Sequence, residues 1–290
     1  MANAASSTNS KQALPLKGVR VLELSHIVAG PSGGMMLGDM GADVIKIEHP
    51  STGDTARSQA NQGNTFYTYN RNKQFLALDL RQAKGKAIFE KLVARSDIVL
   101  DNFAPGAMKR LGLDYSWGSK VNPRIIYCSV KGFLPGPYGD RPFLDELAQM
   151  AGGIAYLTGY EGKPMRAGAS ITDIGAATYG IVGILAALYR REHTGEGDCI
   201  ESGLYETIVF WISQYLTTAQ MTGANPLPRG ARASGMGKTV ALAGASSVWG
   251  DRRGLSLTNE DNRVTKWLTL GALGNLPIVY DELQTRDPVS

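Results

Sequence analysis

The chain is poor in cysteine, in histidine and in long apolar runs, and each shortage removes a class of protein. Two cysteines among 290 residues, Cys128 and Cys199, form no CxxC pair and read as reduced thiols of a cytoplasmic protein, which excludes a disulfide framework. The three histidines, His26, His49 and His193, have neither i, i+4 spacing nor a nearby set of carboxylates, so no metal site is expected. The opening MANAASSTNSKQALP lacks an apolar leader core. The longest nearly uncharged run, Ile174 to Tyr189, falls short of the ~20 residues that a membrane helix needs, so no membrane association is expected. No Lys/Arg run with interleaved aromatics is present, which argues against a nucleic-acid partner. No internal repeat is visible.

What is there describes a soluble globular protein: 43% hydrophobic and 19% charged residues, with a net charge of +4 that suits an anionic small ligand. After a polar tail over 1–16, GVRVLELS reads as a buried strand, AGPSGGMMLGDMG as a turn and short helix, and ADVIKIEHP as a second strand. The alternation continues. FLALDL is a strand, GKAIFEKLVARS an amphipathic helix, DIVLDNF and RIIYCSVKGF further strands, and Asp173 to His193 a long helix closed by Gly195. DCIESGL then reads as a strand and YETIVFWISQYLTTAQM as one helix. This order predicts an α/β fold with a doubly wound, Rossmann-like parallel sheet over 17–221. The shift to Gly, Pro, Ala and Ser from Thr222 marks a linker, and 222–290 reads as the start of a second, smaller domain. In it, SLTNEDNRVTKWLTLGAL suits a strand end plus a helix.

Two glycine motifs imitate nucleotide sites. AGPSGG follows the first strand, but Gly30, Gly33 and Gly34 do not make GxGxxG; such a turn still offers backbone N–H groups to a phosphate. SGMGKT, from Ser234, resembles the end of a P-loop, yet Arg232 stands where its first glycine belongs. Ser25 and His26 are sequence neighbours, so on an extended chain they point to opposite faces and make no Ser–His couple.

Asp173 is the residue with two readings. Asp is a favoured helix cap, worth roughly 1 kcal/mol. Ser170 and Thr172 could cap equally well, however, and small residues on both sides (Ala167, Gly168, Ala169; Gly175, Ala176, Ala177) leave room for a large ligand.

VRVLELSHIVAGPSGGMMLGDMGADVIKIEHPSTGD, NRNKQFLALDL, DNFAPGAMKRLGLDY, SVKGFLPGPY and the Asp173 helix with its RREHTGEG ending together resemble the class III coenzyme A transferases, the CaiB/BaiF family that includes formyl-CoA transferase. The resemblance covers about Leu16 to Val240. It implies that Asp173 is the nucleophile of an enzyme moving CoA between carboxylic acids, through an anhydride and an aspartyl-CoA thioester. No metal, redox or prosthetic group is then needed, because the carboxylate supplies the covalent catalysis and the acyl-CoA is substrate. The positive end of the helix would keep Asp173 ionised. By the same resemblance CoA is held by His26, Ile27, Val28 and Ala29, by Leu78 and Arg81, by Asn102 and Phe103, and by Arg110 and Lys131. The family often has Arg where this chain has His49, which weakens one phosphate contact.

The family also contains acyl-CoA racemases, whose catalytic His precedes an Asp; here Leu144 precedes Asp145, and leucine cannot move a proton. SVKGFLPGPY, LDELAQMAGG and RAGASITDI are most similar to members handling dicarboxylic acyl groups, such as succinyl-CoA or mesaconyl-CoA, for which Arg166 or Arg141 could pair the distal carboxylate. Family members are interlocked homodimers with a longer C-terminal part that returns to the large domain. No return segment is recognised here, which leaves a CoA-binding remnant without turnover as an alternative.

Overall fold

The computed structural model describes residues 14–57, 63–230, 263–270 and 276–284, the last two as strand backbone. Two compact units divide the chain at Gly230/Ala231. In the first, β1 (Arg20–Leu24), β2 (Asp43–Glu48), β3 (Lys73–Ala77), β4 (Ile98–Asp101), β5 (Ile126–Lys131) and β6 (Asp198–Gly203) form one sheet. Its order is β3-β2-β1-β4-β5-β6 and every pair is parallel. This is the expected doubly wound topology. Strand order reverses between β1 and β4, so a crevice opens beyond their carboxyl ends, where such sheets take ligands.

Because helices cover both faces, the strands read as near-continuous apolar runs rather than alternating ones. Val21, Val44, Ile98, Leu100, Ile126 and Cys128 pack with Leu37 of α1 (Ala29–Asp39) and later with Ile181 and Ile184. Leu22, Leu24, Ile47, Val99, Ile125 and Tyr127 pack on the opposite face with Phe89 and Val93 of α3 (Ala83–Val93), the helix that follows α2 (Gly63–Tyr69) in the chain. Side chains as fully buried as Phe89 stabilise by about 1.5–3 kcal/mol each. Leu16, at the end of the expected tail, is buried in the first cluster, and its N–H donates to Met40 O at 2.9 Å.

Short helices α4 (Ala107–Leu111), α5 (Tyr115–Val121), α6 (Asp145–Ala151) and α7 (Ile154–Thr158) lead to α8 (Ile171–Thr194). Gly195 closes α8 at φ 75°, with Arg191 and His193 in its last turn. At 24 residues α8 is long and apolar enough to cross a membrane, contrary to the expectation from its uncharged stretch. Here its inner face packs on α1, β5, β6 and α9 (Leu204–Trp211).

Three local expectations change. The AGPSGG stretch is not a turn but the start of α1: a Cβ at Gly30 would stand 2.3 Å from Ser25 Cβ, and one at Gly34 1.8 Å from Glu23 Oε2, so the glycines let the helix lie against the sheet. Pro31 falls in the first turn, where a missing N–H costs nothing. The helix expected over YETIVFWISQYLTTAQM breaks at Ile212 (φ −99°, ψ 7°) into α9 and α10 (Ser213–Thr222). In the second unit, β7 (Arg263–Leu270) and β8 (Leu276–Gln284) pair antiparallel where a helix was expected. Val264, Thr265, Trp267 and Thr269 are β-favouring residues, which accounts for the difference. The SGMGKT motif and most of the expected tail and linker lie outside the described residues.

Candidate active site

Two loops meet at the reversal point. After β1 the chain turns through Ser25–Val28, and after β4 through Asn102 and Phe103. Asn102 ties them together: its Oδ1 accepts from His26 N–H at 2.9 Å, and its Nδ2 donates to His26 O at 2.9 Å. Ile27 lies at φ 66°, a left-handed conformation that a β-branched residue rarely adopts. Its N–H donates to Asp54 Oδ1 at 3.1 Å, which holds the bend.

Under these loops sits an ionic cluster that the sequence reading missed. Lys46 donates to Glu23 Oε1 at 2.8 Å and to Ser25 O at 2.8 Å, and lies 3.0 Å from Asp54 Oδ2. Lys73 lies 2.7 Å from Glu23 Oε2 and donates to Pro31 O at 2.8 Å. All four side chains are fully buried. Burial pulls Lys73 down to about 8, the pull being partly offset by Glu23. Burial alone would raise Asp54, but His26, Lys46 and the amides of Ala56 and Ile27 outweigh it and hold the carboxyl well below the ordinary carboxylate range. The available signal was a charged residue inside each run read as a buried strand: Glu23 in VRVLEL and Lys46 in DVIKIE.

Across the crevice, Asp173 is the third residue of α8, and it is not the helix cap. Ser170 holds the N-cap position, but its side chain makes no cap bond. The orphan amides are taken by Asp145, from the start of α6. Its Oδ1 accepts from Thr172 N at 2.8 Å, Thr172 Oγ1 at 2.6 Å and Asp173 N at 3.3 Å, while Oδ2 accepts from Gln149 Nε2 at 2.6 Å. The positive end of α8 therefore serves Asp145 rather than Asp173. Among the described residues no hydrogen bond reaches the Asp173 carboxyl, and burial, then the Asp145 charge, push it up to about 7, with Arg166 partly opposing. This corrects the expectation that the helix terminus keeps Asp173 firmly ionised.

Asp173 lines a cavity of about 750 Å³ together with His26, Ile27, Val28, Ala29, Asn102, Phe103 and Lys131. Eight of the eleven expected site residues are thus brought together. Leu78, Arg81 and Arg110 lie outside this lining: Leu78 packs in the core, Arg81 contacts His49 and Asp79, and Arg110 donates to Pro105 O at 3.1 Å. Lys131 is ion-paired to Glu201 on β6. Leu144 does line the cavity, where a racemase would need a base. Of the two cavity arginines, Arg166 pairs with Glu146 and lies 3.5 Å from Asp145, whereas Arg141 stacks on Tyr138 at 4.7 Å and has no acidic partner among the described residues. Among the described residues no group of three or more His, Cys, Asp or Glu is placed to hold a metal ion.

The sequence is 37% identical over 241 residues to the formyl-CoA:oxalate CoA-transferase of Streptomyces avermitilis, covering 77% of this chain and 59% of that protein. It is 40% identical over 203 residues to the succinyl-CoA–L-malate CoA-transferase beta subunit of Chloroflexus aurantiacus, covering 67% and 50%. A solved CAIB/BAIF family protein from Brucella suis matches with a TM-score of 0.72 at 35% identity, covering 75% of this chain and 60% of that one. The chain therefore spans half to three fifths of the length of these relatives. Since a family model described as CoA-transferase family III matches residues 16–243, the chain belongs to that family.

Proposed function

We propose that the protein transfers coenzyme A between carboxylic acids, with Asp173 as nucleophile. The observation that carries this is a carboxyl with no hydrogen-bond partner among the described residues, raised to about 7, facing a cavity of about 750 Å³ at the sheet's reversal point. Asp173 attacks the donor thioester carbonyl; the thiolate leaves and returns to the anhydride to form aspartyl-CoA, and the acceptor acid repeats the exchange in reverse. A carboxylate of raised basicity is a better nucleophile once ionised, and burial keeps water from the anhydride. His26, Ile27, Val28, Ala29, Asn102, Phe103 and Lys131 hold CoA along the strand ends, and Leu78, Arg81 and Arg110 extend the site toward its phosphates.

The substrates are dicarboxylic acyl groups, of which the succinyl group is the first to test. Arg141, without an acidic partner among the described residues of this cavity, supports this and would pair the distal carboxylate. The working form is a cytoplasmic homodimer. The test is an acyl-exchange assay by mass spectrometry, with succinyl-CoA, mono- and dicarboxylic acids, and Asp173→Ala in parallel. New acyl-CoA species from the wild type that vanish in the variant support the reading. CoA binding without exchange in either protein would replace it with a CoA-binding role.

A further inference from the structure

We propose that His26, backed by Asp54, is the hydrogen-bond donor that holds the CoA thiolate while Asp173 carries the acyl group; this rests on reading the cavity as a CoA-transfer site. Three independent constraints fix this one imidazole. Asn102 clamps its backbone from both sides. Its ring lies on Phe103, centroids 5.4 Å apart at 23°. Its Nδ1 is buried without a hydrogen-bond partner among the described residues, 3.8 Å from Oδ1 of the fully buried Asp54.

The side of the ring carrying Nδ1 is turned to the Asp54 carboxylate, which sets the orientation of the other nitrogen. The ring is 34% exposed and lines the Asp173 cavity, so Nε2 is the nitrogen offered to a ligand. The same Asp54 oxygen holds the strained Ile27 N–H, so one carboxylate sets both the bend and the ring. The groups around His26 are Asp54 beneath it, Lys46 of β2 paired to that Asp54, and Asp173, Asp145, Arg166, Arg141 and Lys131 across the cavity. Arg166 and Lys131 are already held by carboxylates and Arg141 is the cation proposed for the distal carboxylate, so among the basic side chains of the described lining His26, in the loop that follows β1, is the donor left to meet sulfur.

The step balances. The Asp173 carboxylate adds to the thioester carbonyl, and the C–S bond breaks with its electron pair on sulfur. The His26 Nε2–H donates to that thiolate and keeps its proton. On return, the sulfur pair forms the new C–S bond at the Asp173 carbonyl, and the acyl carboxylate leaves with the C–O pair.

The experiment titrates the thiol of CoA bound to the 290-residue protein by thiolate absorbance, in the wild type, His26→Gln and Asp54→Asn, with desulfo-CoA affinity measured alongside. Expected is a thiol that ionises about one pH unit lower, a tenfold shift, in the wild type than in His26→Gln, with Asp54→Asn between them, and a loss of CoA affinity in His26→Gln that exceeds its loss of desulfo-CoA affinity at a pH where the thiol is ionised. If CoA binds both the wild type and His26→Gln and its thiol titrates alike in the two, or if His26→Gln weakens desulfo-CoA as much as CoA, the thiolate role is overturned and the transfer reading stands. If the wild type does not bind CoA, both fall.

Discussion

At the residue scale, two aspartates divide the work that one was expected to do. Asp145 takes the amides of the α8 terminus, and Asp173 is left buried beside it. Its folded-state pKa of about 7 stands above the ordinary value of 3.8, so its contribution to stability is whole below about pH 4 and is lost as pH rises through 7. Asp173→Asn should abolish acyl exchange. It should also raise stability at pH 8 by on the order of 2 kcal/mol, a gain that shrinks toward pH 4. Urea melts across that range check the second point. Aspartyl-CoA formation in the wild type should rise with pH around a midpoint near 7, read by single-turnover mass spectrometry. Asp145→Asn removes the second largest cause of that shift, so the midpoint should move down, by roughly one unit. Asp145→Ala, which strands two amides and Thr172 Oγ1, should cost about 1–3 kcal/mol in chemical denaturation. Asp173 was singled out by its motif in the sequence. Its protonation was not legible there, because the decisive neighbour is 28 positions away.

At the scale of elements, α1 lies on the sheet only because glycines face it. Gly34→Ala would push a methyl into Glu23 Oε2, the end of a side chain locked between two lysines, so it cannot swing aside. A loss of about 1–3 kcal/mol is expected, measured by thermal or urea unfolding. Lys46→Met is harsher. It leaves Glu23 with Lys73 and the Ser25 hydroxyl and deprives the buried Asp54 of its lysine, and should cost about 3–5 kcal/mol in the same experiment. Strand positions in the first unit were legible, since a strand buried on both faces is an unbroken apolar run. The start of α1 and the break at Ile212 were not, since both depend on what packs against the backbone rather than on local propensity.

At the scale of the molecule, a net charge of +4 suits the strongly anionic ligand proposed for this chain. CoA affinity should weaken on the order of tenfold from low to high salt, by calorimetry, because the cations expected at the phosphates, Arg81 and Arg110, are exposed and therefore screened. The order of strands and helices, the class of fold, the resemblance to a family and the motif aspartate were determined by the sequence itself, because burial period, turn chemistry and motif order are properties of neighbours along the chain. The tertiary structure alone decided which loops share a cavity, which arginine there has an acidic partner, and that His26 stands on a buried carboxylate. Those depend on the strand order around β1 and β4, which brings Asp54, Asn102 and Asp173 from distant parts of the chain to one crevice, where burial turns small distances into large electrostatic effects.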